Sequence, residues 1–340
     1  MSSLLNTEIG IPVIDLGPGN RDAPSQLLDA ATNYGFVFIE NNDSGVPTQD
    51  ISDLFDLSKT LFAAPVEEKQ KVSIGSNQAG KNHGWLSRGI EKLDPATQQR
   101  ADVKEALNIG EHQNGELQQP MPQILEPHIG DIKHFQDSCH EFCQRIFEHL
   151  AAALDIESGW FTSRHNRTKG PSGTVLRLLY YPHVDDVEDG VDLRAGAHSD
   201  FGSITVLFQL PGQPGLEIKT PSGKWAAVPV DPHSNMNGDA QTNRALPILV
   251  NIGDLLEDWT GGLLKSTVHR VIFPQSEEKS DRYSIAYFCH PLDDAELAPV
   301  PSKAVQEHAT RTGKSNTRDG KVLTAKDHLM ERLEATYSIK

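Results

Sequence analysis

The chain has 340 residues, of which 37% are apolar and 23% charged, and a formal net charge of −16. That length holds one large domain or two modest ones, and the balance suits a water-soluble folded protein. The acidic excess argues against a nucleic-acid or anionic-membrane partner, because both select clustered Lys and Arg. Three cysteines, Cys139, Cys143 and Cys289, are too few for a disulfide framework. They suit a reducing compartment, so a cytoplasmic location is expected. The opening Met-Ser-Ser-Leu-Leu-Asn-Thr-Glu has no basic stretch followed by an apolar run, so no signal peptide is expected. No apolar run reaches transmembrane length, and there is no internal repeat.

In chain order, Ile11 to Leu16 reads as a short strand closed by Gly-Pro-Gly. Ser25 to Thr32 has helical spacing, and Tyr34 to Glu40 alternates and is aromatic, a second strand. Ile51 to Phe62 returns to helical spacing and stops before Pro65, which cannot sit inside a helix. Glu67 to Lys71 reads as a charged surface segment. Residues 73 to 130 are rich in Gly, Asn, Gln and Pro, with two stretches of clearer pattern, His83 to Gly89 and Asp102 to Gly110. A long irregular region in an enzyme is either a lid or pocket wall or a solvated connection.

Ile132 to Leu154 carries the longest apolar stripe (Phe135, Cys139, Phe142, Ile146 and Leu150 among it) and predicts a helix packed across a sheet. Cys139 and Cys143 lie one turn apart on it. With His134, His140 and His149 nearby a zinc site is conceivable, but without a second Cys/His pair at zinc spacing the two read as small buried residues. From Thr174 the pattern becomes strands: 174 to 181, 197 to 210, 216 to 220, 225 to 228, 246 to 252, 266 to 274 and 283 to 290. Gly, Pro, Asn and Asp turns separate them, as expected for a sandwich or barrel, and a jelly roll fits. Ser234 to Thr242 reads as an exposed hairpin extension, and Ala325 to Tyr337 as a closing helix.

Within that strand region, Ala197-His-Ser-Asp-Phe-Gly-Ser203 sets His198 and Asp200 two residues apart. On one strand such residues share a face, so an imidazole and a carboxylate converge. His269 arrives on a later strand. Two His and one carboxylate form the facial triad that holds non-haem Fe(II) with open positions, whereas zinc prefers a closed tetrahedron or three ligands and a water. The chain has 14 His, so a single one is weak evidence; the pattern gains weight from Arg282-Tyr-Ser284 beyond His269. Arg282, Ser284, Ala286 and Phe288 share one face, and a guanidinium beside a hydroxyl suits a carboxylate ligand. Tyr181 can add a donor. Arg177 lies on the same side as Tyr181, either facing the pocket or serving as a buried structural partner. The expectation is an Fe(II)- and 2-oxoglutarate-dependent oxygenase.

These residues resemble the isopenicillin N synthase-like branch of the Fe(II)/2-oxoglutarate dioxygenases. The resemblance covers most of the chain, from Ile-Pro-Val-Ile-Asp-Leu and Tyr-Gly-Phe-Val-Phe-Ile to His198-Ser-Asp200, His269 and Arg282-Tyr-Ser284. Within it, Leu-Arg-Leu-Leu-Tyr-Tyr-Pro and Arg-Ala-Gly-Ala-His-Ser-Asp-Phe-Gly-Ser are most similar to the fungal thymine dioxygenases. The resemblance implies iron on His198, Asp200 and His269. It implies the distal carboxylate of 2-oxoglutarate on Arg282 and Ser284 with help from Tyr181, and an aromatic platform for substrate at Phe288. Phe201, Arg177, Arg194 and His290 complete the expected substrate contacts. Leu179, Phe201, His290 and Ala106-Leu107 depart from what family members carry there, and these changes cluster where substrate is expected.

The implied fold is mainly β with flanking helices: a double-stranded β-helix core, an N-terminal α/β region and a long packing helix. The expected division is an N-terminal region over 1–130, a connecting helical segment over 131–170, the jelly-roll core over 171–295 and a helical tail over 296–340. The implied reaction consumes O2 and 2-oxoglutarate, releases succinate and CO2, and hydroxylates a C–H bond of a small molecule, a pyrimidine or a secondary metabolite. Ascorbate is the expected reductant in vitro. Two alternatives stay open: an iron oxidase that uses no 2-oxoglutarate, and a catalytically silent small-molecule binder on the same fold.

Overall fold

The computed structural model describes residues 10–42, 45–74, 82–94, 97–185, 187–188, 191–234, 245–273, 280–314, 317–318 and 321–337. The hairpin expected over Ser234 to Thr242 lies outside them from residue 235 on.

Three segments open the chain: β1 (Val13–Ile14), α1 (Ala23–Asn33) and β2 (Phe36–Ile39). Pro24 sits in the first turn of α1, where its missing N–H costs nothing. Helix α2 (Thr48–Ala63) ends where Ala64 is extended ahead of Pro65, as the residue before a proline prefers. The segment expected to be charged surface is a short helix, α3 (Val66–Gln70), exposed over most of its length. Its Lys69 is buried and donates to Glu105 Oε2 at 2.8 Å and to the Phe62 carbonyl at 2.9 Å. A charged composition concealed a helix whose one inward lysine is fully partnered.

The irregular region supplies two strands, β3 (Gly84–Leu86) and β4 (Glu105–Gly110), and a small hairpin, β5 (His112–Gln113) with β6 (Glu116–Leu117). Helix α4 (Ile129–Ala153) follows, then α5 (Gly159–Arg164). The remaining strands are β7 (Val175–Tyr181), β8 (Ala195–His198), β9 (Ile204–Gln209), β10 (Leu216–Lys219), β11 (Trp225–Ala227), β12 (Ile248–Ile252), β13 (His269–Val271) and β14 (Arg282–Cys289). Helix α6 (Asp254–Trp259) follows β12, and α7 (Lys303–Thr312) and α8 (Ala325–Tyr337) close the described chain.

Eight strands form a major sheet in the order β1-β2-β12-β9-β14-β7-β4-β3, and four form a minor sheet in the order β11-β10-β13-β8. Together they make the double-stranded β-helix. Strands from the N-terminal third thus complete both ends of the major sheet. Side chains alternate across it with period two. On β14, Ile285, Tyr287 and Cys289 face one way, into the helix-backed core with Leu176 and Leu178 of β7. Ala286 faces the other way with Leu179 and Tyr181, between the sheets, and Phe288 packs against that layer.

Helix α4 covers the back. Its stripe of Ile132, Phe135, Cys139, Phe142, Cys143, Ile146, Phe147 and Leu150 is buried, and the Phe135 ring meets Phe208 of β9 edge-on at 5.2 Å. Each such side chain contributes roughly 1.5–3 kcal/mol on burial. Cys139, Cys143 and Cys289 are free thiols in this core, and no zinc-like cluster surrounds them among the described residues.

Candidate metal centre and cosubstrate pocket

The stretch expected to be one strand from Ala197 to Leu210 is two strands in two different sheets. β8 ends at His198, and the chain turns through residues 199–203 before β9 begins at Ile204. His198 and Asp200 therefore meet through a turn rather than by alternation along a strand. The crossing works because backbones come very close. A Cβ on Gly202 would lie 2.7 Å from the Cys289 carbonyl, and one on Gly253 would lie 2.2 Å from the Gly202 carbonyl. Only glycine fits either place.

β8 pairs with β13 so that His198 stands opposite His269, their ring centroids 4.3 Å apart. Asp200 Oδ1 lies 3.9 Å from His198 Nε2 and 3.7 Å from His269 Nε2. One ligand atom from each of the three falls within 4.8 Å of the others, the only such trio among the described residues. The imidazoles are oriented by their far nitrogens: His198 Nδ1–H donates to the Gly196 carbonyl at 2.7 Å and His269 Nδ1–H to the Thr267 carbonyl at 3.1 Å. Both Nε2 lone pairs are left for a metal. Asp200 Oδ2 accepts from Thr205 Oγ1 and Asn251 Nδ2, each at 2.7 Å, so Oδ1 turns to the histidines. Burial and the neighbouring His269 push His198 down to about 4, so it is neutral at physiological pH. Burial alone would raise Asp200, but the two histidines and its hydrogen bonds hold it below the ordinary carboxylate value. Two neutral nitrogens and one carboxylate oxygen, open on one side, are a donor set that fits Fe(II).

The triad opens on the cavity between the sheets. Arg282 and Ser284 of β14 line it with Tyr181, which pairs with Arg282 across β7. Arg282 is 1% exposed. It donates to Ser284 Oγ at 3.2 Å, Gln209 Oε1 at 3.0 Å and the Gln213 carbonyl at 3.2 Å, and lies 5.1 Å from the Tyr181 ring centroid. No carboxylate forms an ion pair with it among the described residues. Burial lowers its pKa, but a guanidinium stays charged.

Arg177 is both of the things weighed for it. It lines the cavity, and its Nη2 pairs with Glu91 Oε2 at 2.5 Å. Phe288 lines the same wall. Phe201, Arg194 and His290 are not in the lining. The Phe201 ring sits under Arg332 at 5.2 Å. Arg194 is buried, lies 5.0 Å from the Phe273 ring centroid and donates to the Ser280 carbonyl; burial and nearby Arg282 push it down to about 10. His290 is buried beside Thr174, and burial with neighbouring His328 lowers it to about 3.

Sequence reasoning missed Lys104, Asn251 and Thr205, all in the lining. Lys104 is buried between Glu91 at 3.0 Å and Asp102 at 2.5 Å, and Asp102 accepts from the Gly196 N–H at 3.0 Å. The available signal was Asp102-Val-Lys104-Glu105, a run of charges leading straight into an apolar strand.

The comparisons agree with this geometry. The family described as "2OG-Fe(II) oxygenase superfamily" matches residues 172–291, and "non-haem dioxygenase in morphine synthesis N-terminal" matches residues 11–127. The UPF0676 protein C1494.01 of Schizosaccharomyces pombe is 34% identical, covering 96% of this chain and 92% of that protein. Proline hydroxylase buaE of Petromyces alliaceus is 32% identical, covering 82% and 85%. The crystal structure of full-length Neurospora crassa T7H with alpha-KG and thymine superposes with a TM-score of 0.77 at 27% identity, covering 96% of each chain. The chain belongs to the 2OG-Fe(II) oxygenase superfamily. It is an Fe(II)- and 2-oxoglutarate-dependent dioxygenase. Among the described residues, no helix is long and apolar enough to cross a membrane.

Proposed function

We propose that His198, Asp200 and His269 hold the iron, that Arg282, Ser284 and Tyr181 receive the distal carboxylate of 2-oxoglutarate, and that the enzyme hydroxylates a small, polar, ring-bearing molecule. The observation that carries this reading is the buried Arg282, which faces the same cavity as the triad without a carboxylate partner among the described residues. A buried cation so placed is completed by an anionic ligand.

Iron and 2-oxoglutarate together supply the oxidant: O2 is consumed, 2-oxoglutarate leaves as succinate and CO2, and a substrate C–H becomes C–OH. The protein's own groups bind and orient. Gly196 and Thr267 keep the imidazoles aimed, and Thr205 and Asn251 do the same for Asp200. Leu93, Leu207, Leu216 and Val271 make the rest of the wall apolar, which excludes water. Phe288 and Arg177 offer the substrate a ring face and a cationic edge. Phe201, Arg194 and His290, expected as substrate contacts, do not line the cavity. Thymine, in the Neurospora complex, and proline, in the name of the Petromyces relative, are both small polar ring compounds. A pyrimidine or a secondary metabolite of that kind fits, and the buried free thiols suit a cytoplasmic location.

The test is succinate formation under air with Fe(II), ascorbate and 2-oxoglutarate, across thymine, uracil, L-proline and related cyclic compounds. Succinate rising with one substrate and vanishing in His269→Ala is the expected result. Substrate-dependent O2 uptake without succinate would contradict it and favour the oxidase alternative.

A further inference from the structure

We propose that the C-terminal helix α8 clamps the turn that carries Asp200, with Arg332 as a positioning residue acting through Asp254 and Ser199; this rests on the reading of His198, Asp200 and His269 as the iron site. The turn lacks a strand ladder of its own over 199–203, so something else must fix it. Its far end is tied down by the sheet, since Ser203 N donates to the Cys289 carbonyl and Gly253 N to the Ser203 carbonyl, each at 2.9 Å. Its near end, residues 199 to 201, is held from a different direction.

Arg332 touches two of these three consecutive residues. Its Nη2 donates to Ser199 Oγ at 3.3 Å, and its guanidinium covers the Phe201 ring at 5.2 Å. It also pairs with the Asp254 carboxylate. Asp254 in turn accepts from Ser199 Oγ at 3.1 Å, and its backbone N–H donates to the Asp200 carbonyl at 2.7 Å. The Asp200 main chain is thereby fixed from one side, while Thr205 and Asn251 fix its side chain from the other. A planar fork suits this task, since one guanidinium can bridge a carboxylate and a hydroxyl while stacking on a ring.

The helix does not depend on Arg332 for its seat. Ala325, His328 and Leu333 are buried, and Ala325 N donates to the Ala295 carbonyl at 2.9 Å. The Arg332 side chain is itself 38% exposed, so shortening it opens no core.

The experiment is an anaerobic Fe(II) titration of the full chain, with the visible absorption of bound Co(II) as a second probe of ligand geometry. Wild type, Arg332→Ala, Arg332→Lys and Asp200→Ala are compared, along with the Tm of each metal-free protein. We expect Arg332→Ala to weaken Fe(II) binding roughly tenfold, as loss of an outer support for a metal ligand does. Its Co(II) spectrum should change, its metal-free Tm should stay at the wild-type value, and Arg332→Lys should fall between. Wild-type affinity and spectrum in Arg332→Ala would overturn the clamp. So would a loss of affinity matched by a fall in the metal-free Tm, which would make Arg332 a general stabiliser. Wild type binding no better than Asp200→Ala would remove the iron site itself, and the clamp with it.

Discussion

The two faces of the major sheet are both buried, yet only one is lined with groups that can take a ligand. Toward α4, β14 presents Ile285, Tyr287 and Cys289, and the Tyr287 hydroxyl there has a carboxylate partner. Tyr287 donates to Glu111 Oε1 at 3.3 Å and Ser172 to Glu111 Oε2 at 2.8 Å. Burial raises the Glu111 carboxyl, which suits a group kept in that closed layer. Toward the minor sheet the same strand presents Arg282, Ser284, Ala286 and Phe288. Here a buried guanidinium has no carboxylate partner among the described residues, and three potential ligand atoms face one another. Burial does not separate the working face from the structural one. The convergence of three potential ligand atoms and a buried guanidinium on one cavity does.

The difference can be broken most severely at the open face. Asp200→Ala should abolish iron binding and reduce succinate formation to background while the fold persists, as read by anaerobic titration and circular dichroism.

Acid should act next, through two buried histidines. His165 is buried on the Phe147 ring at 4.0 Å, and burial pushes it down to about 3; His290 is likewise down to about 3. The unfolded chain takes up these protons near pH 6.5, whereas the folded chain refuses them until about pH 3. Stability is therefore full above neutrality and falls as the pH drops below 6.5, by about 1.4 kcal/mol per pH unit for each such histidine. Urea unfolding at a series of pH values measures that slope.

Phe147→Ala should cost about 3–5 kcal/mol of stability through the cavity it leaves, with iron and 2-oxoglutarate affinity unchanged below the melting range. Arg282→Ala should do the reverse. It removes charge-assisted hydrogen bonds worth about 3 kcal/mol, hence roughly 100-fold in 2-oxoglutarate affinity, while iron affinity holds. Smallest is Thr205→Val, which frees one lone pair of Asp200 and should weaken iron binding roughly tenfold.

Much of this was readable from residues alone. Strand alternation puts Arg282 and Ser284 on one face, and the β-branched run around His269 marks it as a strand that can neighbour the His198 segment. The turn from Ser199 to Ser203 was not readable, because Ser-Asp-Phe-Gly-Ser continues into a β-branched run and nothing local marks the change of sheet. Lys104 and Glu91 were hidden for another reason. Their partners, Asp102 and Arg177, are fixed by tertiary packing, and charge in an irregular stretch ordinarily means solvent. The contact of Arg332 with Ser199 spans most of the C-terminal half of the chain, and no periodicity encodes such a pair.

The most direct test of the central claim is an anaerobic titration of 2-oxoglutarate into the Fe(II)-loaded protein, followed by the visible charge-transfer band of the chelate. We predict a band that saturates at one 2-oxoglutarate per chain in wild type, needs far more 2-oxoglutarate in Arg282→Ala and is absent in His269→Ala. Iron bound by wild type with no band at any 2-oxoglutarate concentration would contradict the assignment of this cavity as the cosubstrate site.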